Sequence, residues 1–194
     1  MKAVLISIQP KWCELIASGK KTVEVRKTKP KIETPFKCYI YETQGRTETP
    51  WIDEEGHHIF KGRGRVIGEF VCDRIDEFSV PYPAYFSEIG DRTREIIENA
   101  CLKPMDIHAY NGAHQSHGWH ISDLVIYDRP RALGGFRTLC EGLKPYQCDK
   151  CEYFYFENTE SGSYEECCCD NVKPLKRPPQ SWCYVEGDNN EHTD

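Results

Sequence analysis

The chain has 194 residues, a formal net charge of −6, and 39% hydrophobic and 12% aromatic residues, enough to close one substantial core or a core plus a small module. That charge excludes a protein that coats nucleic acid through bulk electrostatics, because such binding draws its affinity from many phosphate contacts. No apolar run approaches the ~20 residues of a membrane span, and Met1 to Ile8 shows no signal-peptide pattern, so the expectation is a cytoplasmic protein with no membrane partner.

Lys2 to Ile8 is rich in Val, Leu and Ile, which suits a short buried strand at the centre of a sheet. After Pro10, Trp12, Leu15 and Ile16 recur at helical spacing, and Gly19 suits the left-handed position that closes a helix. In the strand that follows, Val23 and Val25 point one way, and Thr22, Glu24 and Arg26 point the other. One face is core and the other a polar site. From Lys20 to Lys37 seven bases stand against two acids, so this segment carries +5 and the rest of the chain −11. A basic patch on an acidic body suits a local anionic ligand, although a solvated charged strand and loop would give the same pattern.

Gly19, Lys21, Glu24 and Arg26 fill the pattern glycine, any, lysine, two any, glutamate, any, arginine. A helix precedes it and a strand opens on it. In this the stretch resembles the signature of the ASCH domain, a branch of the PUA-like superfamily, here of a phage or bacterial type with a cysteine-rich module appended. The resemblance runs from about Lys2 to Ile75, resumes at Trp119 to Phe136, and includes a closing strand near Ser181 to Glu186. It implies an α+β fold, a small mixed β-barrel of about five or six strands with flanking helices. It also implies that RNA or a modified nucleotide binds in the cleft beside the signature turn. There Lys21 and Arg26 could hold phosphate while Glu24 accepts a base amino group. Some small members are similar to amidohydrolases that remove an acetyl group from modified cytidine with a lysine, a hydroxyl and a glutamate. Lys21 matches the lysine and Glu69 the glutamate, but Glu24 occupies the hydroxyl's position. If the chain is an enzyme, Lys21, Glu24 and Glu69 are its catalytic candidates, with Glu24 a base on water. A protein-interaction scaffold is the third reading.

Further along, Pro35 to Tyr41 reads as a strand, and residues 43–64, with Pro50, His57 and His58, as an excursion containing a possible hairpin. Arg65 to Ile75 is the strongest strand pattern, with Gly68 placed for close approach of another backbone. Glu69 within it needs a partner, for which Lys21 or Arg26 across the sheet is a natural counterion, or else it faces water at a sheet edge. Residues 81–118 form a helical insertion. Asp91 is its candidate cap, Ile96, Ile97, Ala100 and Cys101 make an apolar stripe, Pro104 to Tyr110 gives a second helix, and a polar loop with His114 and His117 leads out. Trp119 to Tyr127 returns to strand, ended by Pro130. His120 is a ligand-binding candidate on it, and Trp12, Tyr39, Trp119 and Trp182 could stack on a base, Trp12 being nearest the signature.

Of 11 cysteines, five fall in Cys148-x-x-Cys151 and Cys167-Cys168-Cys169. That spacing fits a zinc ribbon or knuckle, with two thiolates from each turn completing a tetrahedral site. Cys167 and Cys169 project alike in an extended chain, so Cys148, Cys151, Cys167 and Cys169 are the expected ligands of a structural zinc; disulfides or unmetallated reactive thiols are the alternatives. The expected organisation is an ASCH domain over 1–139, a zinc module over 140–173, a closing strand over 174–186 and a disordered acidic tail over 187–194.

Overall fold

A computed structural model of the protein describes residues 2–44, 51–52, 58–59, 62–81, 89–138 and 174–187. Strand β1 (Lys2–Ile8) is buried from Ala3 onward on both faces, as its apolar run requires. It pairs parallel with β3 (Phe36–Glu42), Val4 opposite Cys38, and antiparallel with β10 (Trp182–Glu186), Leu5 opposite Cys183. β6 (Arg65–Cys72) and β9 (Ser122–Arg131) extend this to five strands in the order β10, β1, β3, β6, β9, so β3 takes the central place expected of Lys2 to Ile8.

Between β1 and β3 lie helix α1 (Pro10–Ala17) and strand β2 (Val23–Arg26). Pro10 opens the helix and Gly19, at φ +72°, turns the chain out of it, as the sequence predicts. β2 joins a separate three-stranded antiparallel sheet in the order β2, β8 (Ser116–His120), β7 (Ile75–Phe78). A two-stranded pair, β4 (Trp51–Ile52) with β5 (His58–Ile59), lies in the expected excursion.

The fold is α+β, but the described strands do not close into one barrel. Two runs that read as single strands each break and change sheet. Arg65 to Ile75 divides at Asp73 and Arg74 into β6 and β7, and the run from Trp119 divides after His120, with Asp123 at φ +45° just beyond. Each apolar pattern continues through its corner, so periodicity alone shows no boundary there. β9 also runs through Pro130 to Arg131. β10 arrives as the predicted last strand, yet it is one edge of the five-stranded sheet and β9 the other.

Helices α2 (Asp91–Asn99) and α3 (Pro104–Asn111) lie where two helices are expected. Gly90, not Asp91, holds the N-cap position; Asp91 is the first helical residue and pairs with Arg94. Ile96, Ile97 and Ala100 of the predicted stripe are buried with Ile107 against Val23, Val25 and Phe78, while Cys101 lies past the helix end, partly exposed at φ +53°. A second cluster joins Cys13 and Ile16 of α1, one face of the five-stranded sheet and Trp119; a third covers the opposite face with Phe136. Among the described residues no helix is long and apolar enough to cross a membrane. The expected zinc module and all but Gly187 of the expected acidic tail lie outside the described residues.

Candidate functional site

Lys21, Glu24 and Arg26 are brought together. The Gly19 turn is anchored by the Lys21 N–H on the Leu15 carbonyl at 3.0 Å and by the Thr22 N–H on that of Asn99 at 2.9 Å, joining the ends of α1 and α2. From there Lys21 Nζ donates to the Ala100 carbonyl at 2.8 Å and stands 3.3 Å from Glu24 Oε2. Arg26 Nη2 donates to the Ser7 carbonyl at 2.6 Å and lies 3.1 Å from Glu24 Oε1. The side chains of Lys21, Glu24 and Arg26 are only 2%, 8% and 9% exposed. The polar face of β2 is therefore as buried as its apolar one.

Withdrawing a charge from water costs several kcal/mol, offset only by close pairing. Here each oxygen of one carboxylate faces a different cation, and the three groups together carry +1. Burial, and after it Glu42 and Glu24, raises the affinity of the Cys13 thiol for its proton, and Glu42 accepts from the Arg63 N–H at 2.7 Å. Trp12, half-buried, completes the group, with Lys21 Nζ 5.1 Å from its ring centroid.

Glu69 and His120 stand apart from this cluster. Glu69 is the register partner of Tyr39, whose ring packs on Phe136, so it lies on the opposite face of the five-stranded sheet from Cys38 and Ile40. Its partners are Lys37 at 2.9 Å and the Tyr127 hydroxyl, which donates to it, in place of the expected Lys21 or Arg26. Burial disfavours its charge, but these hydrogen bonds outweigh burial and hold the carboxyl below the usual range, while burial and the same carboxylate push Tyr127 well above its own. Lys37 thereby leaves the basic patch, and Lys29 pairs with Glu77.

His120 lies opposite Val23 in register, on the helix-covered face of the three-stranded sheet. Its Nε2 is 2.7 Å from Asp76 Oδ2, which Arg74 also engages, while Arg92 pairs with Oδ1. Burial works against ionisation of Asp76, yet the hydrogen bonds from Arg92 and His120 prevail and its carboxyl lies below the usual range. Two further residues lie on the inter-sheet face, and of these the sequence marks only Trp119, as a stacking candidate. His117 was expected on a loop but lies on β8, 9% exposed, opposite Arg26, and Trp119, fully buried, stands opposite Glu24. Their alternation with Gly118 would have shown this had the strand been started at Ser116.

Of the other cysteines, burial pushes the Cys13 and Cys38 thiols far up and that of Cys72 to about 12, so these are small core residues as expected. Among the described residues no group of three or more His, Cys, Asp or Glu side chains could hold a metal ion. Cys148, Cys151, Cys167 and Cys169 are not among them.

Residues 6–90 match the family model of the ASCH domain, a span that includes Trp12, the whole Gly19 to Arg26 signature and Glu69. Over that span, less than half of the chain, the sequence is similar to the ASCH domain. Among solved structures it is similar to the crystal structure of ASCH from Zymomonas mobilis, at 23% identity over 68% of this chain and 73% of that one, with a TM-score of 0.46. Two variants of that protein match similarly. One, with a tyrosine replaced by phenylalanine, has 23% identity over 69% and 77% of the two chains and a TM-score of 0.46. The other, with a serine replaced by alanine, has 22% over 68% and 74%, also with a TM-score of 0.46. No curated protein matches the chain.

Proposed function

We propose that the protein binds RNA or a modified nucleotide in the cleft beside the Gly19 to Arg26 turn. The observation that carries this reading is the buried cluster in which two cations share one carboxylate. Sequence reasoning placed a second carboxylate there, Glu69, which would have balanced the charge. With Glu69 on another face, Lys21 and Arg26 exceed Glu24 by one positive charge in a setting where water screens little, which favours an anionic ligand. The similarity to the ASCH domain agrees in kind, since a PUA-like fold suggests RNA as the general class of partner.

The test is a calorimetric screen of nucleosides, nucleotides and short RNAs against the full chain at several salt concentrations. A site for one nucleotide or a short strand loses about one to two units of log affinity per log unit of salt, roughly one per phosphate neutralised. A slope of five or more would indicate an RNA-coating surface and defeat the proposal, as would binding that survives loss of both Lys21 and Arg26. The same samples should be monitored for release of acetate from acetylcytidine. Turnover abolished by Glu24→Gln would replace this reading with the amidohydrolase, in which Lys21 and Glu24 act without Glu69.

We also propose that Cys148, Cys151, Cys167 and Cys169 hold one structural zinc, on the spacing of the two cysteine groups. Elemental analysis should find one zinc per chain, lost in Cys148→Ser. Full metal content in that variant would refute the ligand set.

A further inference from the structure

Resting on the nucleotide-binding reading, we infer that the inter-sheet face of β2 and β8 recognises its ligand by donating hydrogen bonds to oxygen acceptors, through Trp119 Nε1 and Arg26 Nε. Residues directly opposite in an antiparallel pair share a face, so the register that sets Glu24 against Trp119 and Arg26 against His117 puts all four side chains on one side. That side looks onto the five-stranded sheet, where Trp119 meets Phe36 edge-on at 5.9 Å and Trp182 at 6.0 Å.

Trp119 is fully buried, and Arg26 and His117 are 7% and 9% exposed. Yet Trp119 Nε1, Arg26 Nε and His117 Nδ1 are buried with no hydrogen-bond partner among the described residues. Native interiors leave few such groups, and three on adjoining positions of one face call for a common explanation. Indole and guanidinium N–H groups can only donate. Each oxygen of Glu24 is already paired with a cation, and Glu77, which shares this face opposite His117, is paired with Lys29. The unspent capacity of Trp119 and Arg26 is therefore for donation, while His117 Nδ1 donates or accepts with its tautomer. That capacity lies beside the +1 of Lys21, Glu24 and Arg26.

A matching ligand group presents oxygens: a phosphate, or the carbonyl edge of a base such as uracil. The exocyclic amine of cytosine or adenine would set donor against donor. This reverses the expectation that Glu24 selects a base amino group. The phosphate and carbonyl sources share one chemistry and separate experimentally.

The test follows the indole N–H resonances of the 15N-labelled full chain during titration with inorganic phosphate, uridine, cytidine and uridine monophosphate. Trp119→Phe identifies the Trp119 signal and removes the donor while keeping an aromatic ring. Should that variant fail to fold, Phe at Trp12, Trp51 and Trp182 assigns the signal by elimination, and Arg26→Lys removes Nε while keeping the charge. The Trp119 signal should move downfield with uridine monophosphate, and affinity should fall about 3- to 10-fold in Trp119→Phe or Arg26→Lys, the range expected for one hydrogen bond. A shift with inorganic phosphate assigns the oxygen to phosphate, and a shift with uridine but not cytidine assigns it to the base. Ligand binding with an unmoved Trp119 signal and unchanged affinity in both variants overturns this inference and leaves the nucleotide reading standing. Absence of binding by every probe overturns both.

Discussion

Replacing Glu24 by glutamine tests whether the cluster is the dry ion triad that its geometry describes. The substitution keeps shape and one acceptor oxygen but deletes the single negative charge between Lys21 and Arg26, whose side chains are 2% and 9% exposed. Removing one partner of a buried pair costs about 3–5 kcal/mol, because the remaining charge stays out of water without compensation; here the retained acceptor places the expectation near the lower end, about 3 kcal/mol. Lys21→Met is the counterpart, since it leaves Glu24 and Arg26 as a balanced pair and forfeits chiefly the hydrogen bond to Ala100, for about 1–2 kcal/mol. Urea unfolding at constant m should rank Glu24→Gln as the more damaging. Phosphate should partly restore it, because ~100 mM of an anion binding with a Kd of ~10 mM adds about 1.4 kcal/mol. A loss in Glu24→Gln below about 1 kcal/mol, or below that of Lys21→Met, would show that water reaches these charges and would refute the reasoning.

Asp76→Asn should cost about 1–2 kcal/mol at pH 7, a modest figure because Arg74 and Arg92 are more than half exposed. The folded carboxyl of Asp76 lies below its unfolded value, so its contribution is fully present above the unfolded pKa and fades as pH falls through the folded one; wild type and variant should converge below about pH 4 in acid unfolding curves. Gly68→Ala should cost about 3 kcal/mol, because a Cβ there would come within 2.4 Å of the Val125 carbonyl of the adjoining strand, whereas Gly134→Ala, with nothing within 4 Å, should be near neutral in the same melts.

Local chemistry was legible in the sequence, whereas sheet membership was not. Gly19, Val23, Val25, Glu24 and Arg26 follow from a glycine turn and strand alternation, both properties of consecutive residues. Gly68 was also readable as a point of close approach, and Val125 is the backbone that approaches. Glu69 was misplaced because alternation tells which residues share a face but not which face meets which. The same limit hid the corner at Asp73 and Arg74, where an apolar run passes unbroken from one sheet to the other. The partners that complete the cluster, Ser7, Ala100 and Trp119, come from distant parts of the chain, with Ala100 79 residues from the lysine that reaches it. Only the folded arrangement joins them.

That long-range contact gives Lys21 two roles, and they can be separated. Ala100 follows the last turn of α2, which has no basic residue of its own, so Lys21 supplies from outside the cation that the negative end of a helix favours. The Ala100 N–H on Ile96, the Cys101 N–H on Glu98 and the Leu102 N–H on Ile97, at 2.9, 2.9 and 3.1 Å, close the same turn. Loss of ligand binding in a Lys21 variant could thus arise from a missing contact or from a loosened α2. In Lys21→Met the amides of residues 100–102 should exchange about 5- to 30-fold faster, equivalent to the roughly 1–2 kcal/mol of the lost hydrogen bond, while β1 and β3 amides respond only to global stability. If those amides keep their protection and affinity still collapses, Lys21 acts on the ligand alone. Faster exchange together with retained affinity would make it a helix cap and move the ligand's cation to Arg26.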